Sequence, residues 1–452
     1  MKPKFRKLKP RPGHSGRHVK DHQRGRLHAA TIELAHAGGY RGLTVTGIAR
    51  TAGVSNRTFY ENFRGRDDCF LATYDLIVRN GARAVLAAQH REQDLEGKVA
   101  AGIVAFLHAV AENPKAAHFV LIEAPEASPT QERTQHTTGL FEALVSETFV
   151  AGNPAVGLPG RVAKGTIGGL SQVARSYLLT EAHGDLIDES KALSDWVGAL
   201  GKQAKLVFEL GQTAAPSRPR EYEIHGKTSE NGQGPSLAER EMILWAVSTL
   251  AASEGLEALT VSNIRRRFGI PRRRFEEYFA DPTDCFLSAV ESHFDRSLAG
   301  PWTASLDAGQ WPESVYRALA GLCQELAANQ SLRGLLFHAL PEAGREGARW
   351  RARLISRLAT SLYVSAPTEI RPSAVTAEAS IAAGWTLLEA EATQKRPQRL
   401  PTLAGGLAYF VLAPIIGADE AVEVIQIDRA PAGAGGAHRS RGLGSPASLP
   451  GR

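Results

Sequence analysis

The sequence predicts an all-α protein made of two tandem units of about 200 residues. Three observations carry this expectation. Ala, Leu, Glu and Arg dominate most of the chain, and the period-2 alternation of β-branched residues that marks strands is absent. The chain repeats itself at an offset of 216, residues 43–70 and 259–286 sharing 13 of 28 positions. Between the copies lies 211–236, rich in Gly, Pro, Ser and charge and without periodicity, which reads as an exposed linker. At 452 residues the chain also exceeds one typical domain.

In the repeat, Leu43, Thr44, Val45, Ile48, Arg50, Gly53, Arg57, Phe59, Glu61, Phe63, Asp68, Cys69 and Phe70 recur. The register holds on both sides. Leu27, Ala30, Thr31 and Leu34 match Ile243, Ala246, Val247 and Leu250, one helix face at i, i+3, i+4, i+7. Downstream, "APEA" (124–127) falls on "LPEA" (340–343) and Asn113 on Asn329. Roughly nine helices per unit fit the remaining length.

Residues 1–20 are expected to be a disordered basic arm. Residues 1–24 hold nine Lys or Arg against one acid, Asp21. Such a segment suits a polyanion, and a solvated tail has the same composition. Residues 21–66 form the first head. Thr44 or Thr46 caps a short helix running to about Ala52, with Val45, Ile48 and Ala49 facing inward. Gly53 permits the left-handed turn that ends it, and Val54 anchors the turn. Ser55 caps the next helix, Asn56 to Phe63. Phe59 and Phe63 pack inward at i, i+4, which leaves Asn56, Arg57, Thr58, Tyr60 and Asn62 outside. This is a helix-turn-helix whose second helix presents a polar, donor-rich face of the kind that enters a major groove.

Residues 67–210 are the first helical domain, 237–282 the second head, 283–428 the second helical domain, and 429–452 a low-complexity tail expected to be disordered. The paired helices that end each unit are 161–180 with 193–210, and 374–392 with 400–417. Gly168, Gly169, Gly405 and Gly406 allow such helices to approach closely.

The most apolar run, 403–416, has fourteen residues, short of the twenty or so that span a bilayer, and reads as a buried helix. The basic N-terminus is followed by no apolar stretch of a secretory signal. Three cysteines without paired spacing, Cys69, Cys285 and Cys323, argue against a disulfide framework or a zinc site and fit a reducing cytoplasm. No nucleophile elbow, metal spacing, P-loop or dinucleotide fingerprint is present, so no catalysis, metal or cofactor is expected. The rival readings are an enzyme using a helical cavity and a sequence-tolerant DNA-coating protein.

The stretch "GLTVTGIARTAGVSNRTFYENFRGRDDCFLATYD" resembles the DNA-binding domain of TetR/AcrR-family transcriptional regulators. A Thr-led second helix, "IA", "AGVS", "FY", "F" and a basic residue three positions on are all met, with Arg66 where Lys is usual. The resemblance is specific over about 25–75, and "ENPKAAHFVLIEAPEA" (112–127) is similar to the middle of many members. It implies a three-helix head on double-stranded DNA and a helical domain that binds a small-molecule effector and dimerises through its last two helices. It assigns Thr44, Tyr60, Asn62 and Arg66 to phosphates, and Ser55, Asn56, Arg57 and Thr58 to base edges.

The second head departs from that pattern. Pro271 replaces Ser55, Glu276 stands at Tyr60 and repels phosphate, and Pro282 replaces Arg66. Against this, Arg265, Arg266, Arg267, Arg272, Arg273 and Arg274 place six arginines within ten residues and predict a positive patch. Two outcomes remain: a head that touches DNA, largely through phosphates, or a degenerate partner. The chain is accordingly expected to be a repressor acting as a single-chain pseudo-dimer, or a homodimer of full chains with only the first heads on DNA. For the effector pocket, His118, Phe119, Ile122, Trp302, Phe337 and His338 are candidates, each also compatible with ordinary core.

Overall fold

The computed structural model describes residues 16–152, 160–180, 186–201, 237–306, 310–394 and 396–427. Among these residues every regular element is helical. The linker 211–236, the tail 429–452, residues 1–15 of the arm and residues 202–210 of one expected bundle helix lie outside the described residues. Residues 16–20, placed in the arm by the sequence, are instead helical, because nothing between Gly16 and the first apolar face breaks the helix.

The first head consists of α1 (Gly16–Gly38), α2 (Val45–Ala52) and α3 (Asn56–Tyr60). Then come α4 (Arg66–Gln89), α5 (Leu95–Glu112), α6 (Pro114–His118), a π-helical turn (Phe119–Glu123), α7 (Gln131–Gly152), α8 (Gly160–Thr180) and α9 (Ser190–Leu200). The second half opens with α10 (Leu237–Glu254), α11 (Val261–Phe268), α12 (Arg272–Glu276) and α13 (Pro282–Phe294). It continues with α14 (Gly300–Leu306), α15 (Trp311–Ala328), α16 (Gln330–Gly334) and a second π-helical turn (Leu335–Ala339). It ends with α17 (Gly344–Ser365), α18 (Ala374–Thr393), α19 (Ala404–Ile416) and α20 (Ala418–Ile427).

The sequence offset is also an offset of elements. The helices α2, α3, α5 and α6 and the first π-helical turn recur 216 residues later as α11, α12, α15, α16 and the second turn, bound for bound. The starts of α8 and α18, and of α9 and α19, differ by 214, a net slip of two residues after the π-helical turns.

The halves meet through the helices that end each of them. α8 packs along α18, and α9 against α18 and α19. Glycine sets how closely. A Cβ on Gly169 would stand 2.7 Å from the Ala379 carbonyl oxygen and 2.7 Å from the Trp196 ring, and one on Gly168 would collide with Thr386. Gly405 and Gly406 are buried in α19. Trp196, 1% exposed, donates Nε1 to Ser380 Oγ at 3.0 Å, and Ser380 donates to the Phe410 carbonyl at 2.8 Å. Arg161 pairs with the buried Glu391 at 2.8 Å. The Trp and Ser dipoles are thereby satisfied across the seam, so burying them is not penalised.

The segment Pro397–Ile416 is apolar and long enough to cross a membrane by length and composition. In the fold, residues 404–413 of α19 are all buried against α9, α15, α18 and α20, so its apolarity is accounted for as core.

The apolar interior divides unequally. The first head has a core of its own, from Leu27, Ala30, Ile48, Phe59, Phe63 and Phe70 to Phe119 and Ala124. The core of the second head, including Ile264, Phe275 and Phe279, is continuous with that of the rest of the molecule.

Candidate nucleic-acid interface

In the first head, local chemistry builds the recognition turn. Thr44 caps α2, its Oγ1 accepting from Gly47 N at 3.0 Å; such a cap contributes about 1 kcal/mol. Gly53, at φ 64, supplies the left-handed residue that ends α2, and Arg26 Nη2 donates to its carbonyl at 3.0 Å, tying the turn to α1. Ser55 caps α3 by accepting from Thr58 N at 3.1 Å. Phe59 and Phe63 are buried, while neighbouring Tyr60 is 59% exposed. One turn of helix thus turns one aromatic inward and the other to solvent.

Helix α3 is shorter than expected, ending at Tyr60, and Phe63 packs from the turn that follows. Asn56, Arg57 and Tyr60 are exposed together on its outer face, with Thr58 half-buried beside them. Arg57 Nε lies 3.2 Å from Glu61 Oε1, with the Arg57 side chain 89% exposed. An exposed i, i+4 pair is worth only about 0.3–0.5 kcal/mol, so a base edge or phosphate can displace Glu61 at little cost.

Two sequence-named residues are held differently. Asn62 is half-buried and donates Nδ2 to the Thr58 carbonyl at 2.8 Å, so its amide serves the helix end. Arg66 lies over the Tyr40 ring at 4.5 Å, donates Nη2 to the Tyr40 hydroxyl at 2.8 Å and Nε to Asp67 Oδ1 at 2.9 Å. The Tyr40 hydroxyl donates to the same Asp67 oxygen at 2.8 Å, which holds that carboxyl below the usual range. Tyr40 and Asp67 were missed by sequence reasoning. The only available signal was the aromatic in "GGYRG", a short 3-10 turn, and the contact joins residues 26 apart.

The second head has the same backbone and a different surface. Thr260 caps α11 by accepting from Asn263 N at 3.2 Å, and Gly269 is left-handed at φ 70. Pro271 starts α12 without a side-chain cap. Ile264, Phe275 and Phe279 are buried where Ile48, Phe59 and Phe63 are. The positive patch expected from six arginines is largely self-neutralised. Arg272 pairs with Glu276 at 2.7 Å, Arg273 with Glu277 at 3.5 Å, and Arg274 with both Glu277 at 2.7 Å and Glu239 at 2.9 Å. Arg267 pairs with Glu254, and Arg266 donates to Asn263. Counting arginines overlooked the acids one helical turn away and on α10.

The first half holds a partly open cavity of about 910 Å³ between α4, α5, α7 and α8. Its wall is mostly apolar, including Ile103, Phe106, Phe141 and Val145, with Gln89, His108, Asn113 and Arg175 as polar points. In the second half the apolar space lined by Trp302, Phe337 and Trp385 is only about 20 Å³. Phe337 stands 216 residues after Leu121, which lines the large cavity. Of the sequence-named pocket candidates, Phe337 and Trp302 thus plug the small space. Phe119 packs on Phe70, Ile122 is buried outside the cavity wall, His118 is buried against His36, and His338 is exposed. All three cysteines are buried thiols.

Residues 27–73 match the family described as bacterial regulatory proteins, tetR family. No curated protein matches the chain. Among solved structures, the fatty acid degradation regulator FadR from Bacillus halodurans is similar at 17% identity and a TM-score of 0.37, over 39% of this chain and 94% of that one. The transcriptional regulator FadR from Bacillus subtilis, in complex with stearoyl-CoA, is similar at 16% identity and 0.36, over 38% of this chain and 96% of that one. A putative transcriptional regulator from Pseudomonas aeruginosa PAO1 is similar at 16% identity and 0.36, over 41% and 94%. Those three likenesses are too distant to assign a ligand or an assembly. The family match falls on the turn described above: the first head is a helix-turn-helix domain of the tetR family, and the chain that carries it is a DNA-binding transcription regulator.

Proposed function

We propose that the chain is a ligand-responsive repressor acting as a single-chain pseudo-dimer, two tetR-type units in tandem. The observation that carries this reading is the seam of α8 and α9 with α18 and α19, closed over Gly168 and Gly169. The resembled family assembles such a seam from two chains; here one chain supplies both sides. The first head reads base edges through Asn56 and Arg57, with Tyr60 on phosphate. The second head, with Glu276 and self-paired arginines on its outer face, contributes mainly phosphate contact. The effector enters the cavity of the first half, whose 910 Å³ lies within the roughly 300–1,000 Å³ of small-molecule sites. Its lining suits a mostly apolar molecule with a few polar groups. Such a ligand weakens operator binding only by preferring the conformation that does not hold DNA.

The test is selection of a binding site from random DNA by the purified full chain, followed by the mass of the complex from light scattering. One chain on an asymmetric site is expected. Two chains on a true palindrome, indifferent to Arg272→Ala and Arg273→Ala, would leave the homodimer of full chains as the assembly. Protection of every sequence alike would indicate a DNA-coating protein.

A further inference from the structure

The first head, with a core of its own, is also held by a polar tie from the other half. The last turn of any helix leaves carbonyls without helical donors. At the end of α1 the His36 carbonyl is reached by Arg345, the second residue of α17, whose Nη2 lies 2.9 Å from it and 3.2 Å from the Ala35 carbonyl, which also accepts from Gly39 N at 2.8 Å. The same guanidinium donates Nε and Nη2 to Glu123 Oε1, at 3.0 Å and 2.5 Å. Glu123 ends the first π-helical turn, and its side chain is 7% exposed. A carboxylate so buried needs a counter-charge. His118, 3.7 Å away, is the other basic group beside it, but burial and the nearby His36, Arg345 and Arg349 hold it neutral. The other oxygen of Glu123 lies against Gly39, where a Cβ would come within 3.2 Å; Gly39, at φ 68, is the turn that leaves α1.

Arg345 is fixed in turn by its own half. Gly344 is left-handed at φ 61, and Gly347 is pressed on the Leu340 carbonyl with no room for a side chain. α17 packs along α18, the helix that forms the seam with α8. A shift of α18 therefore carries Arg345 with it. The arrangement has no twin. α17 begins 213 residues after α7, so the residue at the place of Arg345 in the first half is Glu132, which has no side-chain donor. The turn after α10 is capped from within its own half, Leu256 N donating to Glu342 Oε2 at 2.8 Å.

We propose that Arg345 is a positioning residue, a latch between the halves that sets the orientation of the first head and so its specific affinity for DNA. The DNA arm of this inference rests on the proposed function; the latch itself does not. Two readouts on the full chain separate them. Without DNA, Arg345→Ala should speed hydrogen exchange at the Gly39 and Leu43 amides about tenfold, leaving Gly255 and Leu259 unchanged. The ratio of operator to non-specific affinity should fall about tenfold, because an untethered head must be ordered on binding. Arg345→Lys keeps the charge but not the fork, and should restore the melting temperature without restoring the ratio. Arg349→Ala, one turn along α17, should change neither readout.

Unchanged exchange at Gly39 in a folded Arg345→Ala protein overturns the latch. Faster exchange with an unchanged affinity ratio, or full rescue by lysine, overturns the positioning role and leaves only a local cap. If no DNA is selected by the wild type, the proposed function fails, and the exchange experiment still decides whether the halves are latched.

Discussion

The two heads share a skeleton and differ in nearly everything that faces outward. Capping threonines Thr44 and Thr260, left-handed Gly53 and Gly269, and buried Phe59 and Phe275 sit at matching positions. The surface diverges: Tyr60 against Glu276, and Arg57 with one acid beside it against a lattice of arginine–glutamate pairs. The interiors differ as well. The first head buries His28 bonded to Thr73 at 2.8 Å, where the second has Leu244 and Ala289. The first half keeps a cavity of about 910 Å³, where the second is plugged by aromatics. One skeleton thus carries one half suited to binding and one suited to packing, and the conditions for the fold can be told from those for the site.

The largest effect should come from the interior. Phe337→Ala should cost about 3–5 kcal/mol, because it empties a filled site. Leu121→Ala, at the matching position, should cost under about 2 kcal/mol, because it only enlarges an existing cavity. Denaturant titration of both variants measures this, and equal costs would erase the distinction between open and plugged halves.

On DNA, Arg57→Ala should weaken binding by about 1–3 kcal/mol and relax base preference. Arg273→Ala, its counterpart, should weaken binding to every sequence alike, by less than Arg57→Ala does, with preference intact. Competition binding against single-base variants of the selected site decides; comparable effects would mean that both heads read sequence.

Acid should separate the heads. Burial, aided by Arg24 and Arg79, lowers the His28 pKa from 6.5 to about 4. The folded first head thus keeps His28 neutral, and its contribution to stability is intact above pH 6.5. It is lost as pH falls from 6.5 toward 4, where only the unfolded chain takes up the proton. On the order of 1–2 kcal/mol should go from the first head and none at this position from the second, where leucine stands. Hydrogen exchange at pH 7 and pH 5 reads both heads at once, and His28→Gln should flatten the difference.

The smallest effect is that of the arm. Deleting residues 1–15 removes six Lys or Arg, and the slope of log K against log salt should become shallower by about 0.9 for every phosphate that the arm neutralises. An identical slope would make the arm a bystander.

What could be read in the sequence was local. Thr44, Gly53, Ser55, Phe59 and Phe63 declare themselves because caps, left-handed turns and i, i+4 faces depend on neighbours within a few residues. The second head's self-neutralised surface was half legible, since Glu276 and Glu277 follow their arginines at helical spacing. Glu239, which pins Arg274 from 35 residues away, was not.

The sequence by itself determined the all-helical class, the repeat at 216, the turn that carries the family match and the departure of the second head from it. The tertiary structure alone decided where the cavity lies, that Arg66 is committed to Tyr40 and Asp67, and that Arg345 closes on Glu123 across 222 residues. Periodicity reports which face of a helix is buried, but a cavity, an ion pair or a latch is set by which other faces meet it, and that depends on how the whole chain packs.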